Sequence, residues 1–159
     1  EARNYFEKNK NDYKQIRASH ILISNYDSNN KEVSDKKKAE NKKTAEEVLK
    51  LALDGEDFAT LAKEYSDDSS ASKGGDLGYF TQDEMVSAFS KAAFSLKTGE
   101  IYNKVVETSS GYHIIKKTGE KDQDFDDVKD DLIKTLESTK QNTLMQDLYT
   151  KYDVQIKNQ

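Results

Sequence analysis

Apolar and polar positions change period several times along this chain. From Ile16 to Ile23, "IRASHILI" is a short β-rich run, and it ends in "SNYDSNNKEVSD", whose Asn, Asp and Ser content belongs to a turn. Ala45, Val48, Leu49 and Ala52 then recur at i, i+3, i+4 and i+7, which predicts a helix with Gly55 as its C-terminal stop. Asp57 stands where it can cap a second, shorter helix that repeats the spacing with Phe58, Leu61, Ala62 and Tyr65. "DLGYF" (Asp76–Phe80) predicts a short strand. "TQDE" (Thr81–Glu84) has the hydroxyl-to-carboxylate spacing of a capping box, so a helix is predicted there with Met85, Ala88, Phe89 and Ala92 on one face. "NKVVETSSGYHIIKK" predicts a hairpin that turns at Ser109–Gly111. From about Asp124 a long helical stripe runs through Phe125, Val128, Leu132 and Leu136, then Leu144, Leu148 and Tyr152, before a short strand-like tail.

Helices and strands in this order do not alternate regularly. The fold class predicted is therefore α+β, a small and mostly antiparallel sheet with helices packed on it. Three segments differ in character: a polar arm over residues 1–13 with Tyr5, Phe6 and Tyr13, a mixed middle over 14–120, and the helical end over 121–159. The arm is expected as a helix or a partly ordered segment. The stripe of the last helix is longer than a small domain can cover, so it is expected to pack on another surface, such as the arm.

Composition narrows the function. The net charge is −5 with 35 % charged residues, which leaves no basic patch to release phosphate counterions and argues against nucleic acid. No stretch approaches the ~18 apolar residues of a membrane span. The absence of cysteine removes disulfides, thiolate chemistry and cysteine-ligated zinc. Because the chain starts at Glu1 without a methionine, it is expected to be an excised or processed fragment.

The candidate chemistry is sparse. Gly74, Gly75 and Gly78 crowd into five residues, in a chain with only seven glycines, but neither phosphate-cradling glycine motif is present. A tight turn feeding a strand explains them at face value. His20 and His113 are the only histidines, each inside an apolar strand pattern, where a hydrogen-bonded core histidine is the ordinary outcome. Their similar settings raise the chance that they meet. No metal-binding histidine spacing accompanies them, and no serine-hydrolase elbow appears. Asp67 and Asp68 read as solvated loop charge, and Lys36, Lys37 and Lys38 as a solvated helix face.

Four motifs taken in order carry a resemblance: "RASHILI", "EDFATLAKEYSDDSSASKGGDLGYF", "MVSAFSKAAFSLKTGE" and "SSGYHIIKKTG". Together they resemble the parvulin family of peptidyl-prolyl cis–trans isomerases, over about two-thirds of the chain. The arm and the long C-terminal helix make the whole similar to PrsA-type bacterial extracytoplasmic foldases. The resemblance implies a parvulin-like four-stranded antiparallel sheet surrounded by helices. It implies a site made of His20, His113 and Asp68 with Thr108 and Ser110 in the hydrogen-bond network, and a proline pocket of Leu77, Met85 and Phe89. The glycine-rich loop is implied to line the substrate groove.

The implied activity is isomerisation of X-Pro bonds in unfolded exported polypeptides, without cofactor or metal. Independence from phosphate is expected because "SNYDSNNKE" carries Lys31 as its only base where the phosphate-reading branch has a basic cluster. Val105 stands where many relatives have proline. The flanks are implied to be remnants of a chaperone domain, and the full-length protein to be a lipoprotein on the outer face of the membrane, anchored by a lipid outside this chain. Monomer and swapped dimer both stay open. The alternative is a non-catalytic chaperone or peptide-binding module with the same fold.

Overall fold

The computed structural model describes residues 1–152; the strand-like tail lies outside the described residues. The described residues fall into two compact units, one of residues 14–122 and one made of the N-terminal arm with the chain from Gln123 onward.

The larger unit is built on a four-stranded antiparallel sheet of β1 (Lys14–Ser24), β2 (Asp76–Phe80), β3 (Val106–Thr108) and β4 (Gly111–Asp122), in the spatial order β2-β1-β4-β3. β1 and β4 form the long central pair, in register from Lys14 opposite Asp122 to Ser24 opposite Gly111. Alternation along a strand sends neighbours to opposite faces, and this divides the core in two. Ile21, Ile23, Tyr112 and Ile114 face one way, where α2 (Asp35–Leu53) and α3 (Phe58–Tyr65) cover them with Ala45, Val48, Leu49, Phe58 and Leu61. Ile16, Ala18 and Ile115 face the other way, with Phe80 and Val106, under Phe89, Ala92 and Ala93 of α4 (Ser87–Phe94).

The predicted cap of α3 forms, with Asp57 accepting from the Thr60 N–H, and Ser34 caps α2 by accepting from the Lys37 N–H. Gly55, in the left-handed region at φ 102°, follows the end of α2. The helix predicted from the capping box starts later than expected. Thr81 N–H donates to Glu84 Oε2 at 2.5 Å, but the Thr81 hydroxyl also donates to Asp83 and Glu84. The hydroxyl therefore closes a turn on two carboxylates, and residues 81–86 stay non-helical until α4 begins at Ser87. Met85 is thus a loop residue, Ala88 is exposed, and the buried face of α4 is Phe89, Ser90, Ala92 and Ala93.

In the other unit, α1 (Ala2–Lys8) lies along the first half of α5 (Phe125–Tyr152). Phe6 is buried, with its ring 5.7 Å from that of Phe125 and 4.9 Å from that of Tyr13. Lys140 reaches Glu1 at 2.6 Å, and Leu132 is buried. The stripe on α5 therefore splits: its first half packs on the arm, whereas Leu144, Met145 and Leu148 are exposed.

Candidate active site

The register of the central strands brings the two histidines together. Leu22 pairs with His113 and His20 with Ile115, so His20 and His113 are diagonal neighbours on the face under α4. Both are buried, at 5 % and 6 % exposure. Their rings stack with an interplanar angle of 20°, and the two Nδ1 atoms stand 3.1 Å apart. Phe89 meets both rings edge-on, at 5.7 and 5.5 Å between centroids.

The chain of polar groups extends at both ends. On one side His113 Nε2 lies 2.8 Å from Thr108 Oγ1, which also accepts the Ser110 backbone N–H at 3.2 Å. On the other, His20 Nε2 is 3.2 Å from Asp68 Oδ1. That approach is off the N–H direction, so it is a close polar contact and leaves Nε2 without an aligned hydrogen bond. Asp68 is fixed locally. Its Oδ1 accepts from both the backbone N–H, at 2.8 Å, and the hydroxyl of Ser70, capping a short 3-10 turn over Ser69–Lys73.

Charge follows from these contacts. Burial raises the Asp68 pKa, but the hydrogen bonds from the Ser70 hydroxyl and N–H, with His20 beside it, outweigh burial and bring it down to about 2. Asp68 is thus an acceptor only. Burial pushes His113 down to about 4, His20 adds to the effect, and Asp68 opposes it. For a neutral pair, the proton on His20 belongs on Nε2, facing the carboxylate, which leaves Nδ1 as an acceptor. His113 then donates from Nδ1, and its Nε2 takes the Thr108 O–H. The carboxylate beside His20 Nε2 in this way gives the two hydrogen bonds, His20–His113 and His113–Thr108, a single direction.

Gly75 answers to packing. Gly75 is at φ 78°, and a β-carbon there would collide with the carbonyl oxygen of His20. The same glycine's carbonyl accepts the His20 N–H at 2.9 Å. What approaches Gly75 is the backbone of β1, and a side chain at this position would push His20 out of line.

Of the residues named from sequence, the structure joins His20, His113, Asp68, Thr108 and Phe89 by direct contact. Leu77 and Met85 pack, half-buried, against the apolar cluster that contains Phe89. Ser110 enters through its backbone N–H. Two further serines were not anticipated. Ser70 holds Asp68, a role its position two residues after an aspartate could have suggested. Ser90 is buried on α4 and donates to the Gln82 carbonyl at 2.7 Å, tying the loop that carries Met85 to the helix; an isolated serine in a helical pattern gave no signal. Among the described residues, no group of three or more His, Cys, Asp and Glu side chains is arranged to hold a metal ion.

A family model described as a PPIC-type PPIase domain matches residues 4–121. The chain belongs to this family of peptidyl-prolyl isomerases. It is 46% identical to the foldase protein PrsA of Bacillus subtilis over 151 residues, which is 91% of this chain and 46% of the relative. A crystal structure of the peptidylprolyl isomerase PrsA from Bacillus cereus aligns with a TM-score of 0.64 at 33% identity, covering 99% of this chain and 58% of that one. The corresponding Bacillus anthracis structure aligns at 0.59 and 36% identity, covering 99% and 69%. The chain is thus a parvulin-type isomerase domain closely related to the PrsA-family foldases. It spans about half the length of the curated relatives it matches.

Proposed function

We propose that this chain accelerates cis–trans exchange of X-Pro bonds in unphosphorylated, unfolded polypeptides. The observation that carries the proposal is the Asp68–His20–His113–Thr108 chain, whose two imidazoles are buried beside Phe89 and the apolar cluster that Leu77 and Met85 join. Peptide-bond rotation faces a barrier of about 18–20 kcal/mol, and no covalent step is needed to lower it. The enzyme has to favour the twisted imide over both planar forms. Leu77, Met85 and Phe89 would hold the prolyl ring while the preceding carbonyl turns. The planar imide places negative charge on its carbonyl oxygen and double-bond character in C–N. The ionised Asp68 near that oxygen would disfavour the planar resonance form more than the twisted one. The histidine pair fixes where that charge sits.

Several observations support independence from phosphate. After β1 the loop to α2 offers Lys31, and Lys38 is already engaged by Glu32 at 2.6 Å and by Asp35 at 3.7 Å. By kinship with the PrsA foldases we place the protein outside the cytoplasm, acting on exported chains. We further assign residues 14–120 to the isomerase domain and residues 1–13 and 121–159 to a chaperone part, with a lipid anchor elsewhere in the full-length protein. A second reading, a holdase that binds extended chains without catalysis, is favoured by the exposed Leu144, Met145 and Leu148.

The test is exchange spectroscopy on a panel of X-Pro peptides with wild type and Asp68→Asn. Acceleration that drops about tenfold or more in the variant supports the site. No acceleration by wild type on any peptide overturns the isomerase proposal and leaves the holdase.

A further inference from the structure

β2 pairs with β1 only as far as Ser19 opposite Asp76, after which the His20 N–H takes the Gly75 carbonyl. Beyond that point the edge of β1 would present bare groups at Leu22 and Ser24. The segment Ser66–Asp68 covers them. Asp67 donates its backbone N–H to the Leu22 carbonyl at 2.8 Å. Leu22 N–H donates to Ser66 Oγ at 3.1 Å, and Ser24 N–H donates to Asp67 Oδ2 at 2.8 Å. Ser66 Oγ also accepts the Asp68 N–H at 3.3 Å. Two side chains therefore do what a strand backbone would have done.

Asp68 is the next residue along, and its carboxylate has to arrive beside His20 Nε2. We propose that Asp67 is a positioning residue for the isomerase site: its carboxylate hooks the Ser24 N–H and so fixes the backbone from which Asp68 reaches His20. The β1 end that it grips is itself anchored, because Asn41, buried on α2, donates to the Ser24 carbonyl at 2.7 Å. The role needs an acceptor oxygen at Asp67 and no charge. An amide oxygen serves equally well, and a methyl group does not.

The proposal rests on the isomerase reading for its kinetic readout but not for its second readout. Asp67→Asn, Asp67→Ala and Ser66→Ala are compared with wild type by exchange spectroscopy on one X-Pro peptide. Nitrogen-15 correlations of the two histidine rings report their tautomers in the same samples. Asp67→Asn should stay within about twofold of wild type, because the backbone hydrogen bond is retained. Asp67→Ala should lose about tenfold, mainly in kcat, because the reacting groups are misplaced and the binding surface is intact. In Asp67→Ala and Ser66→Ala the His20 ring should pass from a single tautomer to an average of two. Equal losses in Asp67→Asn and Asp67→Ala would overturn the proposal in favour of a charge effect. Unchanged histidine signals in Asp67→Ala would overturn it outright. A wild type without isomerase activity would sink the isomerase reading alone, and the ring signals would still decide the role of Asp67.

Discussion

The two faces of the sheet are made by alternate residues of the same strands, yet they are built differently. Under α2 and α3, Ile21, Ile23, Ile114 and Tyr112 meet Val48, Leu49, Phe58 and Leu61 in a core of apolar contacts. Under α4 the same central strands place His20 and His113 beside Ile115, Ala18 and Phe89. Hydrophobic burial organises the first face, and it works without direction. The second face buries two imidazoles, and each ring has to find partners of the right sense. The proposed site sits on the face where burial alone does not suffice. The rings bond to each other, the Thr108 hydroxyl bonds His113 Nε2, and the Asp68 carboxylate stands close to His20 Nε2 at the other end.

Substitutions should separate the faces, and the largest effect belongs to the apolar one. Leu61→Ala removes a fully buried side chain of α3 and should cost about 2–5 kcal/mol of stability in urea unfolding. The exchange rate per folded molecule should be kept. A large loss of rate in the folded fraction would mean that the two faces are coupled.

Acid should act on the histidine face. The folded pKa of His113 is lowered from 6.5 to about 4, so between these values the unfolded chain takes up a proton that the folded chain refuses. Stability should therefore fall as pH drops from about 6.5 to about 4, by up to roughly 3 kcal/mol. Asp68 is also lowered, to about 2, so its contribution is present above the ordinary carboxylate range and is lost as pH falls further towards 2. Urea unfolding across this range should show a shallower slope between pH 6.5 and 4 in His113→Gln than in wild type. Parallel slopes would refute a neutral, buried His113.

Met85→Ala should change activity more than stability. Met85 is half-buried in a loop, so its loss should cost only about 1 kcal/mol. If Met85 grips the prolyl ring, X-Pro exchange should slow about tenfold. The smallest effect lies outside both faces. Leu144→Ser on the exposed end of α5 should leave thermal stability within about 0.5 kcal/mol of wild type. A large loss there would show that this surface is covered in solution.

Much of the fold could be read from periodicity. The helices around Ala45–Ala52 and Phe58–Tyr65, the strand at Asp76–Phe80 and the hairpin at Ser109–Gly111 each have a local pattern that tertiary packing reinforces. The start of α4 could not be read. Thr81 and Glu84 do form their side-chain contacts, but a second carboxylate, Asp83, shares the hydroxyl and turns a helix start into a loop. The pairing of His20 with His113 depended on the β1–β4 register, which no local pattern specifies. From its neighbours alone Asp68 reads as a solvated charge beside Asp67, because adjacent residues seldom share a site, and only the family resemblance set it beside the histidines. In the structure they do not share one: Asp67 turns to Ser24 and Asp68 to Ser70 and His20.

The most direct test of the central claim pairs one Ser-Pro peptide with its phosphoserine form and measures cis–trans exchange in each with and without the wild-type chain. Acceleration of the unphosphorylated peptide, with no gain from phosphate, is the predicted result. Acceleration confined to the phosphorylated peptide would contradict the assigned specificity, and no acceleration of either would contradict the isomerase function.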